Sequence, residues 1–85
     1  MRLERTEQFK RDFASLPEPM QRRAEKKIRL FLENPRHPSL RIKKMQGVEE
    51  IWEGRITRNY RFTFQIAGDT WLLRRIGAHE ILKTP

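Results

Sequence analysis

Residues 60–66, with the sequence YRFTFQI, constrain the fold more than any other segment, because apolar and polar side chains alternate in them without a break. Strict alternation with a period of two is typical of a β-strand that has one buried face. Arg61 therefore stands on a rigid sheet, on the face opposite the core. The predicted core face consists of Tyr60, Phe62, Phe64 and Ile66, and the opposite face of Arg61, Thr63 and Gln65.

The composition predicts one small domain, spanning residues 1–85, with a basic surface. Hydrophobic residues make up 36% of the chain and charged residues 35%, enough for a single core. The net charge of +8 favours a polyanionic partner such as RNA, DNA or an acidic protein, and a generally basic solvated surface is the alternative.

The composition also bears on cofactors and location. The chain has no cysteine, and its two histidines, His37 and His79, are too few for a histidine-rich zinc site, so we expect no metal or other cofactor. No apolar run approaches membrane-spanning length, and the first residues lack the apolar core of a signal peptide. We therefore expect a cytoplasmic protein.

The hydrophobic periodicity predicts an α+β fold of order β-α-α-β-β-β, in which an N-terminal helical hairpin packs on one face of a small, twisted, mainly antiparallel sheet. Thr6 is a candidate N-cap for the first helix, and Ser15 to Glu18 resemble a capping box for the second, which Asn34 and Pro35 end. The predicted strands are residues 2–5, 40–45, 51–57, 60–66 and 70–76, and the last of these reads as a central strand.

The loop between the third and fourth strands decides which residues face each other. A two-residue loop would set Ile56 opposite Arg61 and mix core with charge. A three-residue loop sets Arg55 opposite Arg61 and keeps the core face apolar, so we predict that register. Two arginines side by side repel each other, and a bound anion or a carboxylate such as Glu53 would relieve the repulsion.

Several other residues are candidates for function. His79 follows the last strand and is suited to proton transfer or phosphate binding, although a single histidine is more often structural. His37, between prolines, is predicted to make loop hydrogen bonds. Neighbours in a strand point to opposite faces, so only one of Arg74 and Arg75 is expected to join the site. Further candidates for contact with nucleic acid are Lys43, Lys44, Arg74 and Lys83.

Several short segments together resemble the RelE/ParE toxin superfamily of bacterial toxin–antitoxin systems, in an order that covers nearly the whole chain. They are FKRD at 9–12, LP at 16–17, NP at 34–35, HPSL at 37–40, WEGRI at 52–56, YRF at 60–62 and IGAHE at 76–80.

The resemblance implies a toxin that cleaves mRNA on the ribosome without a metal, and a partner antitoxin with which it forms a complex. In such a reaction the 2′-hydroxyl attacks the adjacent phosphate, and basic residues stabilise charge and move protons. Arg61 falls on the strand arginine of the family, Arg55 near a second basic position, and His79 on a position held by arginine or a catalytic histidine. Lys43 and Lys44 fall where contacts with ribosomal RNA are expected.

The chain departs from the RelE pattern at two places. A tyrosine expected after the last motif is replaced by residues 83–85, and a lysine expected before Arg55 is replaced by Glu53. Two alternatives therefore stand beside the nuclease: a ParE-like inhibitor of DNA gyrase, and a catalytically degenerate module that binds antitoxin or nucleic acid.

Overall fold

The computed structural model describes residues 2–47 and 50–85, and in it two helices cover one face of a five-stranded sheet. The sheet order is β1-β5-β4-β3-β2, with β1 parallel to β5 and the other pairs antiparallel. No helix in the described ranges is long and apolar enough to cross a membrane. The elements are β1 (Arg2–Arg5), α1 (Glu7–Ala14), α2 (Glu18–Glu33), β2 (Lys43–Lys44), β3 (Trp52–Arg55), β4 (Tyr60–Ala67) and β5 (Thr70–Ala78), with 3₁₀ helices at Pro38–Leu40 and His79–Lys83. The predicted fold class is confirmed.

One helix start was predicted correctly and the other was not. Thr6 caps α1, since its hydroxyl oxygen accepts a hydrogen bond from the Phe9 N–H at 3.0 Å. The capping box predicted at Ser15 is wrong, because Ser15 closes α1 instead and its hydroxyl bonds the Arg11 carbonyl. Pro17 precedes α2 and contributes no side-chain cap.

The core lies between α2 and the sheet. The Phe31 ring of α2 has its centroid 5.4 Å from that of Phe62, 4.7 Å from that of Phe64 and 4.3 Å from that of Trp71. Phe62 and Phe64 are buried, as the alternation predicts, whereas Ile66 lies on the same face near the end of the strand and is 48% exposed. Arg55 and Arg61 lie on the opposite face of the sheet, which the helices do not cover.

The strand predicted at residues 40–45 shrinks to Lys43–Lys44. Pro38–Leu40 form a 3₁₀ turn, and Arg41 follows in the left-handed region at φ 45° and ψ 48°, which interrupts an extended chain. Leu40 is still fully buried, as predicted for an inward-facing residue.

A bulge in β5 overturns the prediction that Arg74 and Arg75 face opposite ways. The register shifts between Thr63 and Phe64, which inserts Arg74 as an extra residue in β5. As a result both arginines reach the C-terminal segment: Arg74 Nε donates to the Pro85 oxygen at 3.1 Å, and an Arg75 terminal nitrogen donates to the Thr84 carbonyl at 3.3 Å.

Asp12 ties α1 to β5 at the point where β1 ends. Its carboxylate accepts from Arg75 Nε at 3.0 Å and from the Ile76 N–H at 3.2 Å, so it takes the place of a missing strand partner. Burial alone would raise the pKa of Asp12, but the hydrogen bonds from Arg75, Gln8 and Ile76 and the charge of Arg75 together lower it below 3.8.

Asp12→Asn is expected to destabilise the protein by about 2–3 kcal/mol near neutral pH, because a charge-assisted network loses its anion. The lowered pKa means that the carboxylate stabilises the fold above the unfolded-state pKa and loses this effect as the pH falls through the folded-state pKa. The difference in the free energy of unfolding between wild type and Asp12→Asn should therefore become smaller as the pH falls below about 5. Urea unfolding across this range is the check, and a difference independent of pH would contradict it.

Candidate functional site

Arg55 and Arg61 face each other across β3 and β4, as the three-residue loop predicts. The Ile56 N–H donates to the Tyr60 carbonyl at 2.9 Å and closes the loop in that register. Beside the two arginines lies a pocket of about 340 Å³, here called the arginine pocket. Its lining residues are Arg41, Ile42, Lys43, Glu53, Arg55 and Arg61.

Arg55 combines a buried hydrogen-bond donor with several positively charged neighbours. Its Nε is buried and has no hydrogen-bond partner in the described chain. Burial and the charges of Arg41, Arg61 and Arg58 lower the pKa of Arg55, and the charge of Glu53 offsets them only partly. A buried donor and crowded cations both favour an anion at this position.

Arg61 supports the turn and lines the pocket at once. One of its terminal nitrogens donates to the Thr57 carbonyl at 2.7 Å and to the Arg58 carbonyl at 2.5 Å. These bonds fix the guanidinium against the loop that joins β3 and β4. Within residues 2–47 and 50–85, its other two nitrogens donate to no group, so they remain available to a ligand.

Glu53 neutralises the pocket only in part. It is 8% exposed and lies 3.7 Å from Lys43 across the β2–β3 pair. With Arg41, Lys43, Arg55 and Arg61 against this single carboxylate, the lining keeps an excess of positive charge. Planar guanidinium groups offer paired donors that match the oxygens of a phosphate, so the pocket is suited to a phosphate group.

Gly54 allows β3 to lie close under the core and so sets the position of Arg55. A Cβ at this position would collide with the ring of Phe62 and with the side chain of Ile42. An aromatic ring that covers a strand glycine in this way packs directly on the backbone.

Gly54→Ala is expected to destabilise the fold by about 1–3 kcal/mol, because the added methyl group overpacks a full core. Phe62 and Ile42 would have to move, and β3 would shift with them. Denaturant unfolding is the measurement. Gly68→Ala is a useful contrast, since a Cβ there meets no atom within 4 Å and only its φ of +61° is unfavourable. A Gly54→Ala variant as stable as wild type would contradict the packing argument.

The sequence did not single out Arg41. The residue is exposed, its backbone is left-handed, and it lines two pockets, the arginine pocket and the one beside it. A non-glycine residue with positive φ is strained, and such strain is found often at functional sites. No pattern in residues 40–45 indicates the left-handed turn.

The remaining predicted residues divide into two groups. Lys43 lines the arginine pocket, and Lys44 lines an adjoining one with Lys43 and Glu53. Arg74 lies outside both, since it donates to Gln65 and to the Pro85 oxygen. Lys83 is exposed at the end of the last 3₁₀ helix.

His79 is exposed and begins that 3₁₀ helix. It follows Ala78, which pairs with Tyr60, so it lies at the end of the sheet that carries the β3–β4 loop. It does not line the arginine pocket. The structure thus places His79 near the same end of the sheet as Arg61 but outside the arginine pocket.

His37 makes the loop hydrogen bonds that its position predicts. Its Nδ1 accepts from the Ser39 N–H at 3.2 Å and lies 2.8 Å from the Ser39 hydroxyl, which in turn accepts from Lys27 Nζ at 2.9 Å. These contacts cap the Pro38–Leu40 turn.

The chain was compared with known proteins at the level of sequence and of structure. No protein-family model matches it, and no curated protein does. Among solved structures, YafQ of E. coli superimposes with a TM-score of 0.80 over 96% of this chain and 98% of its own, at 14% identity. A YoeB/ParE toxin from Agrobacterium tumefaciens gives 0.77 over 93% and 99%, at 20% identity.

The RelB–RelE antitoxin–toxin complex of Methanococcus jannaschii contains a further match, with a TM-score of 0.74 over 94% of both chains at 22% identity. At these identities the likeness concerns the fold. The resemblance seen in the sequence motifs is therefore confirmed at that level: the chain has the fold of the RelE/ParE toxins.

Proposed function

We propose that this protein is the toxin of a type II toxin–antitoxin system and that it cleaves mRNA on the ribosome, in the cytoplasm. The observation that carries the proposal is the arginine pocket, where a buried donor of Arg55 has no partner among the described residues and lies beside three further cations. The fold it shares with YafQ, YoeB/ParE and RelE toxins supports the same conclusion.

The proposed reaction needs charge stabilisation and proton transfer. The ribose 2′-oxygen attacks the adjacent phosphorus while a base takes its proton, and the 5′-oxygen leaves and receives a proton from an acid. Arg55 and Arg61 hold the non-bridging oxygens, where negative charge grows in the transition state. His79 is the residue proposed for proton transfer, since imidazole serves as acid or base near neutral pH.

The other basic residues are proposed to hold the ribosome and the RNA backbone. Lys43 and Lys44 continue the positive surface along β2 from the arginine pocket, and Lys83 adds a charge near His79 in sequence. A net charge of +8 further suits an acidic antitoxin, and YafQ and RelE were each crystallised with an antitoxin partner, DinJ and RelB. We propose an analogous complex here.

Induced expression in a bacterial host tests the proposal against its alternatives. The nuclease predicts growth arrest, cuts at codon-related positions in translated mRNA by primer extension, and normal plasmid supercoiling. Rescue by the small open reading frame beside the gene would support the toxin class. Loss of supercoiling or DNA damage without mRNA cuts would identify a gyrase inhibitor instead. Antitoxin binding with neither effect would identify a degenerate module.

A further inference from the structure

A second pocket adjoins the arginine pocket. It has a volume of about 330 Å³, and it is here called the loop pocket. The two pockets share Arg41 and Ile42, so a ligand group in one lies next to a group in the other. The loop pocket is lined by Pro35, Arg36, His37, Pro38, Arg41 and Ile42. Its volume is at the lower end of the range of about 300–1,000 Å³ for small-molecule sites.

The side chains of the loop pocket combine apolar surface with hydrogen-bond donors. Pro35, Pro38 and Ile42 offer apolar contact to a flat group, whereas Arg36 and Arg41 can only donate. His37 adds a further donor to the lining. Its Nδ1 accepts from the Ser39 N–H, so the proton of the neutral ring is on Nε2. Within the part of the chain that the structure describes, no lining side chain is a carboxylate, amide or hydroxyl that could accept.

Arg41 ends the Pro38–Leu40 turn in the left-handed conformation and lies in the lining of both pockets. Its left-handed conformation sets the guanidinium between the two pockets, where its charge also acts on Arg55. A glycine would take this conformation without strain, so the arginine here stabilises the fold less than a glycine would.

We propose that the loop pocket is a subsite for a guanine base, next to the nucleotide phosphate held by the arginine pocket. The inference rests on the proposed function. Guanine presents two adjacent acceptors, O6 and N7, which match a lining of donors, and arginine pairs with this edge in a bidentate manner. Adenine presents a donor in place of O6 and would meet Arg36, Arg41 and His37 donor to donor. The loop pocket therefore selects guanine over adenine at one position beside the bound phosphate.

The test is a titration of the isotope-labelled protein, followed by the backbone amide signals in NMR spectra. The ligands are GMP, AMP and inorganic phosphate. We expect GMP to bind at least about fivefold more tightly than AMP, the lower end of the effect of one bidentate pair. GMP should shift the signals of residues 36–40, and inorganic phosphate should shift mainly those of β3 and β4.

Two variants separate the base from the phosphate. His37→Asn keeps a side-chain acceptor for the Ser39 N–H, and asparagine is a favoured cap, so the turn should remain. The amide nitrogen of asparagine falls at the position of Cδ2, one bond short of Nε2, so the donor at the Nε2 position is lost. The preference for GMP over AMP should therefore fall while phosphate binding stays unchanged. Arg41→Gly relieves the backbone strain and should lose the preference and weaken phosphate binding as well.

Equal affinities for GMP and AMP, or an unchanged preference in His37→Asn, would overturn the guanine subsite alone, provided that inorganic phosphate still binds at β3 and β4. No binding of any of the three ligands would overturn the phosphate site of the proposed function together with it. The two failures are therefore distinguishable in one experiment.

Discussion

Arg55→Met is expected to reduce mRNA cleavage by at least about 100-fold, the effect of removing one well-placed donor from a transition state. It is expected to raise the melting temperature at the same time. Methionine keeps an unbranched apolar stem in place of that of Arg55 but removes a charge that lies among Arg41, Arg58 and Arg61. It also removes the buried Nε, which has no partner within residues 2–47 and 50–85. When replacement of a residue lowers activity but raises stability, the residue serves binding at a cost in stability.

The control for this variant is Arg23→Met, which makes the same chemical change at an exposed position of α2. It should leave both cleavage and melting temperature close to those of wild type. If Arg55→Met lowered the melting temperature, the guanidinium would be a structural element of the sheet. If cleavage stayed within a factor of about two, no phosphate would depend on it.

His79→Ala is expected to lower cleavage by about 100-fold to 10,000-fold, the usual range for the loss of a general acid or base. The melting temperature should not change, because His79 is exposed and donates to no group in the described chain. Added imidazole should restore part of the activity of the variant, since a free base can take the vacant place. Ribosome-dependent cleavage rates, measured with and without imidazole, are the check.

The neighbouring Glu80→Ala serves as the control for His79→Ala, because it alters the next exposed residue of the same 3₁₀ helix without removing an imidazole. It should cleave at the wild-type rate. An active His79→Ala variant beside an inactive Arg55→Met variant would keep the phosphate site and remove His79 from the chemistry. Loss of activity without rescue by imidazole would assign His79 to RNA binding.

The sequence predicted that Arg55 pairs with Arg61 because local features of the sequence determine this pairing. Alternation in residues 60–66 determines which side chains of β4 face the core. Only a three-residue loop sets the core residues of β3 opposite those of β4, and this register places Arg55 opposite Arg61. The order of helices and strands followed in the same way from periodicity and from the stop signals at Asn34 and Pro35.

Other features depend on contacts that no local pattern encodes. The bulge at Arg74 brings two neighbouring arginines to one face, and it arises from the pairing of β5 with β4. Arg41 takes a left-handed conformation that arginine has no preference for, and the turn before it replaces a predicted strand. The contribution of Arg41 and the loop pocket were therefore not predictable.

The position of His79 relative to the arginine pocket was also not predictable from the sequence. The motif at residues 76–80 indicates a histidine after the last strand, and the structure places it at the end of the sheet where Arg61 lies. The arginine pocket does not include it. That Arg55 and Arg61 act on the phosphate together with His79 is therefore a proposal about the complex with RNA. The Arg55→Met and His79→Ala variants test the two parts of this proposal separately.

The chemical identity of the RNA ends produced in a purified translation system tests whether the protein cleaves mRNA by the proposed reaction. Attack by the 2′-hydroxyl on a phosphate held by Arg55 and Arg61 predicts a 2′,3′-cyclic phosphate or a 3′-phosphate on the upstream fragment and a 5′-hydroxyl on the downstream one. These ends should appear with wild type and ribosomes together, and be lost with Arg55→Met. Fragments with 5′-phosphate ends, or intact mRNA in the presence of wild-type protein and ribosomes, would contradict the account.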